Sequence, residues 1–215
     1  MAESRPAALP PAERTVGQLV AESIRFYGDH FWRVVVLGVP FLVVDLISLD
    51  ATVAFQTFVA WVLGPLICAA FTGACMLVNG TFWSWRAYAV ALIVYVPFPV
   101  LVRLYVLPGV VWFALVGLAV PAALAEGLGI RAALRRGFEL GRADLVHAIG
   151  GLATVCIVYG VSRGALQVLL HTQGDVAERV AVVVADLVLS PLLYLGGAFL
   201  YVDQAARKKS EASPV

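Results

Sequence analysis

Six long apolar runs, separated by short polar or Gly/Pro-containing segments, decide what this chain can fold into. A transmembrane helix needs about 20 predominantly apolar residues, and the runs are close to that length or longer. Hydrophobic residues make up 61% of the 215-residue chain and charged residues 13%, against about 45–50% and about 25% in soluble domains. The sequence therefore predicts an all-α integral membrane protein with six transmembrane helices. This composition excludes a soluble enzyme, and a net charge of +1 argues against nucleic acid as a partner.

Turn and kink signals place the limits of the spans. Gly64-Pro65 predicts a kink in the second span, and Pro191 predicts one in the sixth. Asn79-Gly80 and Pro108-Gly109 predict tight turns after the second and third spans. The expected spans cover residues 34–49, 52–78, 87–107, 110–125, 145–170 and 179–205.

Two polar segments carry a helical amphipathic pattern. In residues 15–29, apolar side chains recur at helical spacing, and Thr15 with Gln18 forms a capping-box signature. Residues 126–144 repeat the pattern, with Arg135 and Glu139 at the supportive i,i+4 spacing. Both segments are predicted to be helices that lie in the membrane interface.

The chain divides into a membrane domain and two tails. Residues 1–14 are rich in Pro and Ala and are predicted to be a disordered tail, residues 15–206 form the membrane domain, and residues 207–215 form a basic tail. The N-terminus lacks a secretory signal, so we expect the first span to act as the insertion signal. Cys68, Cys75 and Cys156 all lie in apolar runs, where they are expected to be buried small hydrophobic residues.

The basic residues predict the orientation. If both termini lie on one side, that side holds twelve of the 15 Lys and Arg residues. The other side keeps Arg103 and Arg179, and Arg163 lies within a span. Positive charge marks the cytoplasmic side, so both termini are predicted to be cytoplasmic. The twelve are Arg5, Arg14, Arg25, Arg33, Arg86, Arg131, Arg135, Arg136, Arg142, Arg207, Lys208 and Lys209.

Three stretches resemble a six-span bacterial membrane family. They are TVGQLVAESIRFYGDHFW at 15–32, the series LPG, VPA, AEGLG and AALRRGFELGR between 107 and 142, and YVDQAARK at 201–208. The family includes the membrane domain of glycerophosphoryl diester phosphodiesterases and YciC-like proteins. Gly137 stands where the family usually has Ser. The resemblance implies six helices and residence in the bacterial inner membrane. It implies no phosphodiesterase activity, because the sequence holds no soluble catalytic domain.

Four ionisable residues within the spans are candidates for a site, because a charge in the bilayer is costly unless it is paired or hydrated. They form an expected intramembrane charged cluster of Asp45, Arg103, Arg163 and Asp186. Counting back from the turn at 171–178 places Arg163 and Asp186 at equal depth on adjacent helices. One interpretation is a structural network of ion pairs that locks the bundle. The other is a polar site that opens outward toward lipid headgroups or a small solute.

Two further sequence features resemble catalytic or proton-transfer groups. Gly160-Val161-Ser162-Arg163-Gly164 matches the GxSxG signature of serine hydrolases. A serine nucleophile needs a base within hydrogen-bond reach, and His147 and His171 are about 22 Å and about 13 Å away along a helix axis. The sequence favours close helix packing as the role of these small residues. His147 is expected to form interfacial hydrogen bonds rather than to carry protons.

The function expected from these features is not enzymatic. No catalytic residue set, metal site or cofactor is predicted. The leading hypothesis is an accessory or scaffold protein that engages membrane lipids or a partner membrane protein, including a second copy of the chain. The alternative is a small transporter or lipid-handling protein that uses the charged cluster. Four arginines are candidates for contact with anionic lipid, although positive-inside topology alone would also place them there: Arg131, Arg135, Arg136 and Arg142.

Overall fold

A computed structural model describes residues 10–48, 51–171 and 174–212. These residues are helical with short connections, and no strand occurs among them. Most of the predicted N-terminal tail lies outside the described residues, but Pro11–Glu13 form a short 3₁₀ turn. The α-helices are α1 Val16–Asp29, α2 Phe31–Val35, α3 Val39–Ser48, α4 Val53–Val62, α5 Gly64–Asn79, α6 Trp85–Tyr95, α7 Phe98–Leu104, α8 Val106–Trp112, α9 Ala119–Ala125, α10 Ile130–Ala143, α11 Leu145–Leu170 and α12 Asp175–Ala212.

Five stretches of the described chain are long and apolar enough to cross a membrane. Helices α4 and α5 form a pair bent by 55°, which brings the number to six if the pair is one span. The prediction of a helical multi-pass membrane protein is thus confirmed. The five stretches are Phe31–Ser48, Trp85–Leu104, Val106–Ala125, Leu145–Leu170 and Arg179–Ser210.

Several local predictions hold. The Gln18 side chain accepts a hydrogen bond from the Thr15 N–H at 2.8 Å, as a capping box requires. The bend between α4 and α5 falls at Gly64-Pro65, and Pro65 lies in the first turn of α5. Gly80 ends α5 in the left-handed conformation, with φ of 63°, which glycine adopts without a steric penalty.

The turn predicted at Pro108-Gly109 is wrong. The chain breaks three residues earlier, where Tyr105 is extended with φ of −160° and ψ of 147°. Pro108 lies in the first turn of α8, where an N–H would have no partner within the helix. Gly109 packs against the Val102 side chain of α7, so a larger residue would meet that side chain. The glycine allows close packing of α7 on α8 and does not form the turn.

Two tryptophan side chains donate hydrogen bonds to backbone carbonyls at the break between α6 and α7. Pro97 and Pro99 supply no N–H groups, so the carbonyls of Ile93 and Tyr95, four residues earlier, have no helical donor. The Trp112 indole donates to the Val94 carbonyl at 2.9 Å, and the Trp61 indole donates to the Val96 carbonyl at 2.9 Å. Polar backbone at membrane depth must be satisfied within the protein, and these bonds stabilise an irregular wall.

Helix α12 is the central element and packs against α1, α3, α5, α10 and α11. It continues through Pro191, which leaves the Leu187 carbonyl without a helical donor. Gly38 packs directly against that carbonyl, and a side chain there would overlap it. The residue pair therefore fixes the approach of the first span to α12.

The two amphipathic helices bury one face against the bundle. Helix α1 buries Leu19, Ser23 and Tyr27. Helix α10 buries Gly137 and Gly141 directly on the backbone of Ala119 and Ala114, with no room for a β-carbon. The buried faces of α1 and α10 therefore pack on other helices of the protein, which the amphipathic pattern of the sequence did not predict.

Candidate functional site

The site is built around one arginine held between two carboxylates and a phenol. Arg163, on α11, donates from Nη2 to Asp45 Oδ2 on α3. Its Nη1 lies 3.4 Å from Asp186 Oδ1 on α12 and donates to the Tyr159 hydroxyl at 3.1 Å. Tyr159 in turn donates to Asp186 Oδ1 at 2.6 Å. These contacts join the first span to the α11–α12 hairpin.

Burial differs sharply among the charged groups. The Asp186 side chain is 0% exposed, whereas the side chains of Asp45 and Arg163 are 23% and 27% exposed. Asp186 Oδ2 has no hydrogen-bond partner in the described part of the chain. A buried charge requires pairing, and here one guanidinium serves two carboxylates, so its bonding capacity is largely used.

A cavity of about 400 Å³ adjoins this network. Asp45, Tyr159 and Arg163 contribute to its wall, but Asp186 does not. The rest of the wall is mainly apolar, and its aromatic members are Phe41, Phe71, Tyr95, Phe98, Phe113 and Tyr194. The cavity therefore combines a large apolar surface with a few fixed polar groups, as small-molecule sites commonly do.

Arg103 lines the same cavity but has no ion pair among the described residues. It lies in the last turn of α7 and is exposed. The expected cluster of four charges is thus split into a paired set, Asp45, Arg163 and Asp186, and an unpaired cation on the cavity wall. The two carboxylates are already engaged with Arg163, which accounts for the difference.

The sequence analysis did not identify Tyr159. The signal was present, because Tyr159 precedes Arg163 by four residues and so lies on the same face of α11. Its phenol links Arg163 to Asp186, and without it the bond from Nη1 to the buried carboxylate would be a single long contact. A tyrosine one helical turn from an intramembrane charge is the pattern that would have found it.

A second polar network lies where α11 begins and α12 ends. Arg14 Nη1 lies 3.2 Å from Asp203 Oδ1, and Arg207 Nη1 lies 2.8 Å from Asp144 Oδ2. Helix α12 continues through the predicted basic tail to Ala212, and Lys208 pairs with Glu139 at 3.4 Å. These pairs bind the two ends of the membrane domain to each other.

The motif residues of the resemblance also meet in space. Glu126 Oε1 accepts hydrogen bonds from Arg136 Nε at 3.0 Å and from the Tyr201 hydroxyl at 3.2 Å. The second and third resembling stretches are thereby joined. The contacts give these residues a structural role at the connection between α9 and α10.

The four arginines of α10 differ in their surroundings. Arg135 pairs with Glu139 at 2.9 Å and Arg136 with Glu126 at 3.0 Å, so each shares its charge with a carboxylate. Hydrogen bonds from Arg135 and Lys208 lower the pKa of Glu139. Arg142 lies over the Phe138 ring at 5.5 Å, a cation–π contact. Arg131 is exposed, so Arg131 and Arg142 are the members best placed to meet an anionic surface.

Ser162 and His147 both lie on α11. His147 lies near the start of α11, where its Nδ1 is 3.5 Å from Arg207 Nη2. Gly160 and Gly164 have open space where a β-carbon would lie, so no helix of the described chain packs closely on them. Cys68, Cys75 and Cys156 are free thiols, and no metal-binding group of His, Cys, Asp or Glu occurs among the described residues.

No family model, curated protein or solved structure matches the chain.

Proposed function

We propose that this protein is a non-enzymatic, lipid-handling protein that holds an amphipathic molecule in its intramembrane cavity. The cavity of about 400 Å³ is the observation that carries the proposal. Its wall is mainly apolar and aromatic, which suits a hydrocarbon chain, and Asp45, Arg103 and Arg163 supply charge on the same wall. A purely structural ion pair would be sealed by packed side chains, whereas Asp45 and Arg163 line open space.

Irregular helices around the cavity support this proposal. Tyr95 and Phe98 flank the break between α6 and α7, and Phe113 begins a π-helical segment, Phe113–Gly117. All three line the cavity. Interrupted helices and π segments are frequent at binding sites in membrane proteins.

We also propose the setting in which the site works. The twelve basic residues on one side favour a bacterial inner membrane location with both termini in the cytoplasm. Helices α1 and α10 would then lie at the cytoplasmic interface, since each keeps a polar face away from the bundle. Asp45 and Arg163, which line the cavity, lie toward the C-terminal ends of α3 and α11. This part of the cavity would then face the outer leaflet.

A second function is favoured by the outward face of α11. Ile157, Gly160, Val161, Gly164 and Val168 lie on one face of this helix at helical spacing. A β-carbon at either glycine would meet nothing within 4 Å in the described chain, and small residues four apart allow a partner helix to approach closely. This face supports the scaffold hypothesis, with a partner membrane protein or a second copy as the occupant.

Mass spectrometry of the purified full chain tests the cavity proposal. Cys156→Trp fills the cavity wall, and the adjacent Ile157→Trp changes a side chain that is 62% exposed and does not line the cavity. Lipid retained by the wild type and by Ile157→Trp, but lost from Cys156→Trp, would support lipid handling. Equal retention by all three would contradict it.

A further inference from the structure

The charges on the cavity wall are not equivalent, and the difference indicates what the cavity binds. Asp45 and Arg163 are bonded to each other. Arg163 is further engaged by Tyr159 at 3.1 Å and by Asp186 at 3.4 Å. An incoming anion would have to displace carboxylates from Arg163, and an incoming cation would have to displace Arg163 from Asp45. Neither exchange is favourable in a region of low dielectric constant.

Arg103 is the exception. It lines the cavity, is exposed, and has no ion pair among the described residues. A guanidinium is always charged and presents planar donors that match carboxylate and phosphate oxygens. The preceding residue, Val102, and Phe98, five residues before Arg103, are also on the cavity wall. An acidic headgroup on Arg103 would therefore have apolar wall beside it for its chain.

Resting on the proposed function, we propose that the ligand is an amphipathic anion, whose acidic headgroup binds Arg103 and whose hydrocarbon chain lies along Phe98, Val102 and Phe113. The shared chemistry is an oxyanion on an acyl chain, supplied either by a fatty acid or by a phospholipid. Asp45 and Asp186 keep Arg163 occupied, which leaves one cation for the headgroup. Selectivity for the anion over a neutral lipid then resides in Arg103.

Binding to the full chain in detergent micelles tests this assignment. The probes are oleate, oleoyl lysophosphatidate and the neutral oleyl alcohol, with inorganic phosphate as a headgroup lacking a chain. We expect both anions to bind at least about tenfold more tightly than the alcohol, the effect of about one charge-assisted hydrogen bond. The tighter of the two anions identifies the source of the headgroup, and inorganic phosphate alone should bind weakly.

Substitutions at two arginines separate the headgroup contact from general charge. Arg103→Gln should reduce affinity for the anions by about tenfold and leave oleyl alcohol unchanged, and Arg103→Lys should restore part of the loss. Arg86→Gln, which removes an exposed arginine away from the cavity, is the matched control and should change neither. Arg103 has no ion pair among the described residues, so its variants should keep the wild-type helix content and unfolding temperature.

The outcomes distinguish the two proposals. If the wild type binds anions and alcohol equally, and Cys156→Trp abolishes both, the cavity holds lipid but the assignment to Arg103 is wrong. If Arg103→Gln and Arg86→Gln weaken anion binding equally, charge acts at long range and the assignment is also wrong. If no probe binds, or Cys156→Trp changes nothing, the proposed function and this inference both fail.

Discussion

Arg163 and Asp186 face each other across the α11–α12 hairpin, with Nη1 of the arginine 3.4 Å from Oδ1 of the aspartate. Both residues lie eight positions from the ends of the connecting turn, at 171 and 178, and this spacing predicts that they lie at equal depth on antiparallel helices. The contact is nevertheless shared, since Asp45 holds the other side of the guanidinium and Tyr159 bridges Arg163 to Asp186. The relationship is a network of four residues rather than an isolated pair.

This network should be strongly non-additive toward mutation. Arg163→Ala leaves two carboxylates without a cation, and Asp186→Ala removes the fully buried one. Breaking a buried ion pair costs about 3–5 kcal/mol when one partner is removed, so Arg163→Ala should lower the unfolding temperature most. Asp186→Ala should cost less, because Asp45 still pairs with Arg163. The double variant should lose less than the sum of the single losses, as measured by thermal unfolding in detergent. Strictly additive losses would contradict the network.

Glycines on two helices should respond in opposite ways to the same substitution. Gly137 packs on the backbone of Ala119, so Gly137→Val would force α10 away from α9. Overpacking of this kind costs about 1–3 kcal/mol. Gly160 has open space around it, and Gly160→Val should change stability by less than about 0.5 kcal/mol. Unfolding temperatures of the two variants in detergent check this. Equal losses would show that the described packing of α10 is wrong.

The contact between Arg14 and Asp203 should stabilise the N-terminal segment on α12. Asp203 is 0% exposed and lies 3.2 Å from Arg14 Nη1. Arg14→Gln should cost about 1–3 kcal/mol, the effect of losing a hydrogen bond to a buried charged group. The control is Arg25→Gln, because the Arg25–Glu22 pair is long at 3.9 Å and partly exposed and should contribute about 0–1 kcal/mol. Limited proteolysis should cut Arg14→Gln faster near residue 14. Equal cleavage rates for the two variants would argue against this contact.

The orientation is tested by accessibility of introduced cysteines. In a background lacking Cys68, Cys75 and Cys156, Ser4→Cys and Ser210→Cys should be protected from an impermeant thiol reagent in intact cells. Gln173→Cys should be labelled, because the positive-inside count places that turn outside. Labelling of Ser4→Cys in intact cells would reverse the proposed orientation.

Much of the fold can be predicted from sequence patterns that depend on a single segment of the chain. Apolar length predicts the spans, and Thr15 with Gln18 predicts the start of α1, because the forces involved are local. The predicted turn at Pro108 failed because proline also suits the first turn of a helix, and sequence alone does not separate the two uses. The buried faces of α10 depend on which segment packs against Gly137 and Gly141, which is a tertiary property.

The site was predictable in part for the same reason. Asp45, Arg163 and Asp186 stand out because ionisable residues are rare in apolar runs. Arg103 stands out equally, yet the structure leaves it unpaired, because pairing depends on three-dimensional distances that depth alone does not give. The cavity has no signature in the sequence, since its wall is made of ordinary apolar residues from seven or more separate segments.

Photo-crosslinking tests the central claim, occupancy of the cavity by lipid, most directly. A fatty acid carrying a diazirine and an alkyne is incubated with the full chain in membranes, irradiated, and mapped on peptides by mass spectrometry. The account predicts adducts at cavity-lining residues such as Phe98, Val102 and Cys156, competed by unlabelled oleate. Adducts confined to outward-facing residues such as Ile157 and Val161, unchanged by oleate, would contradict it.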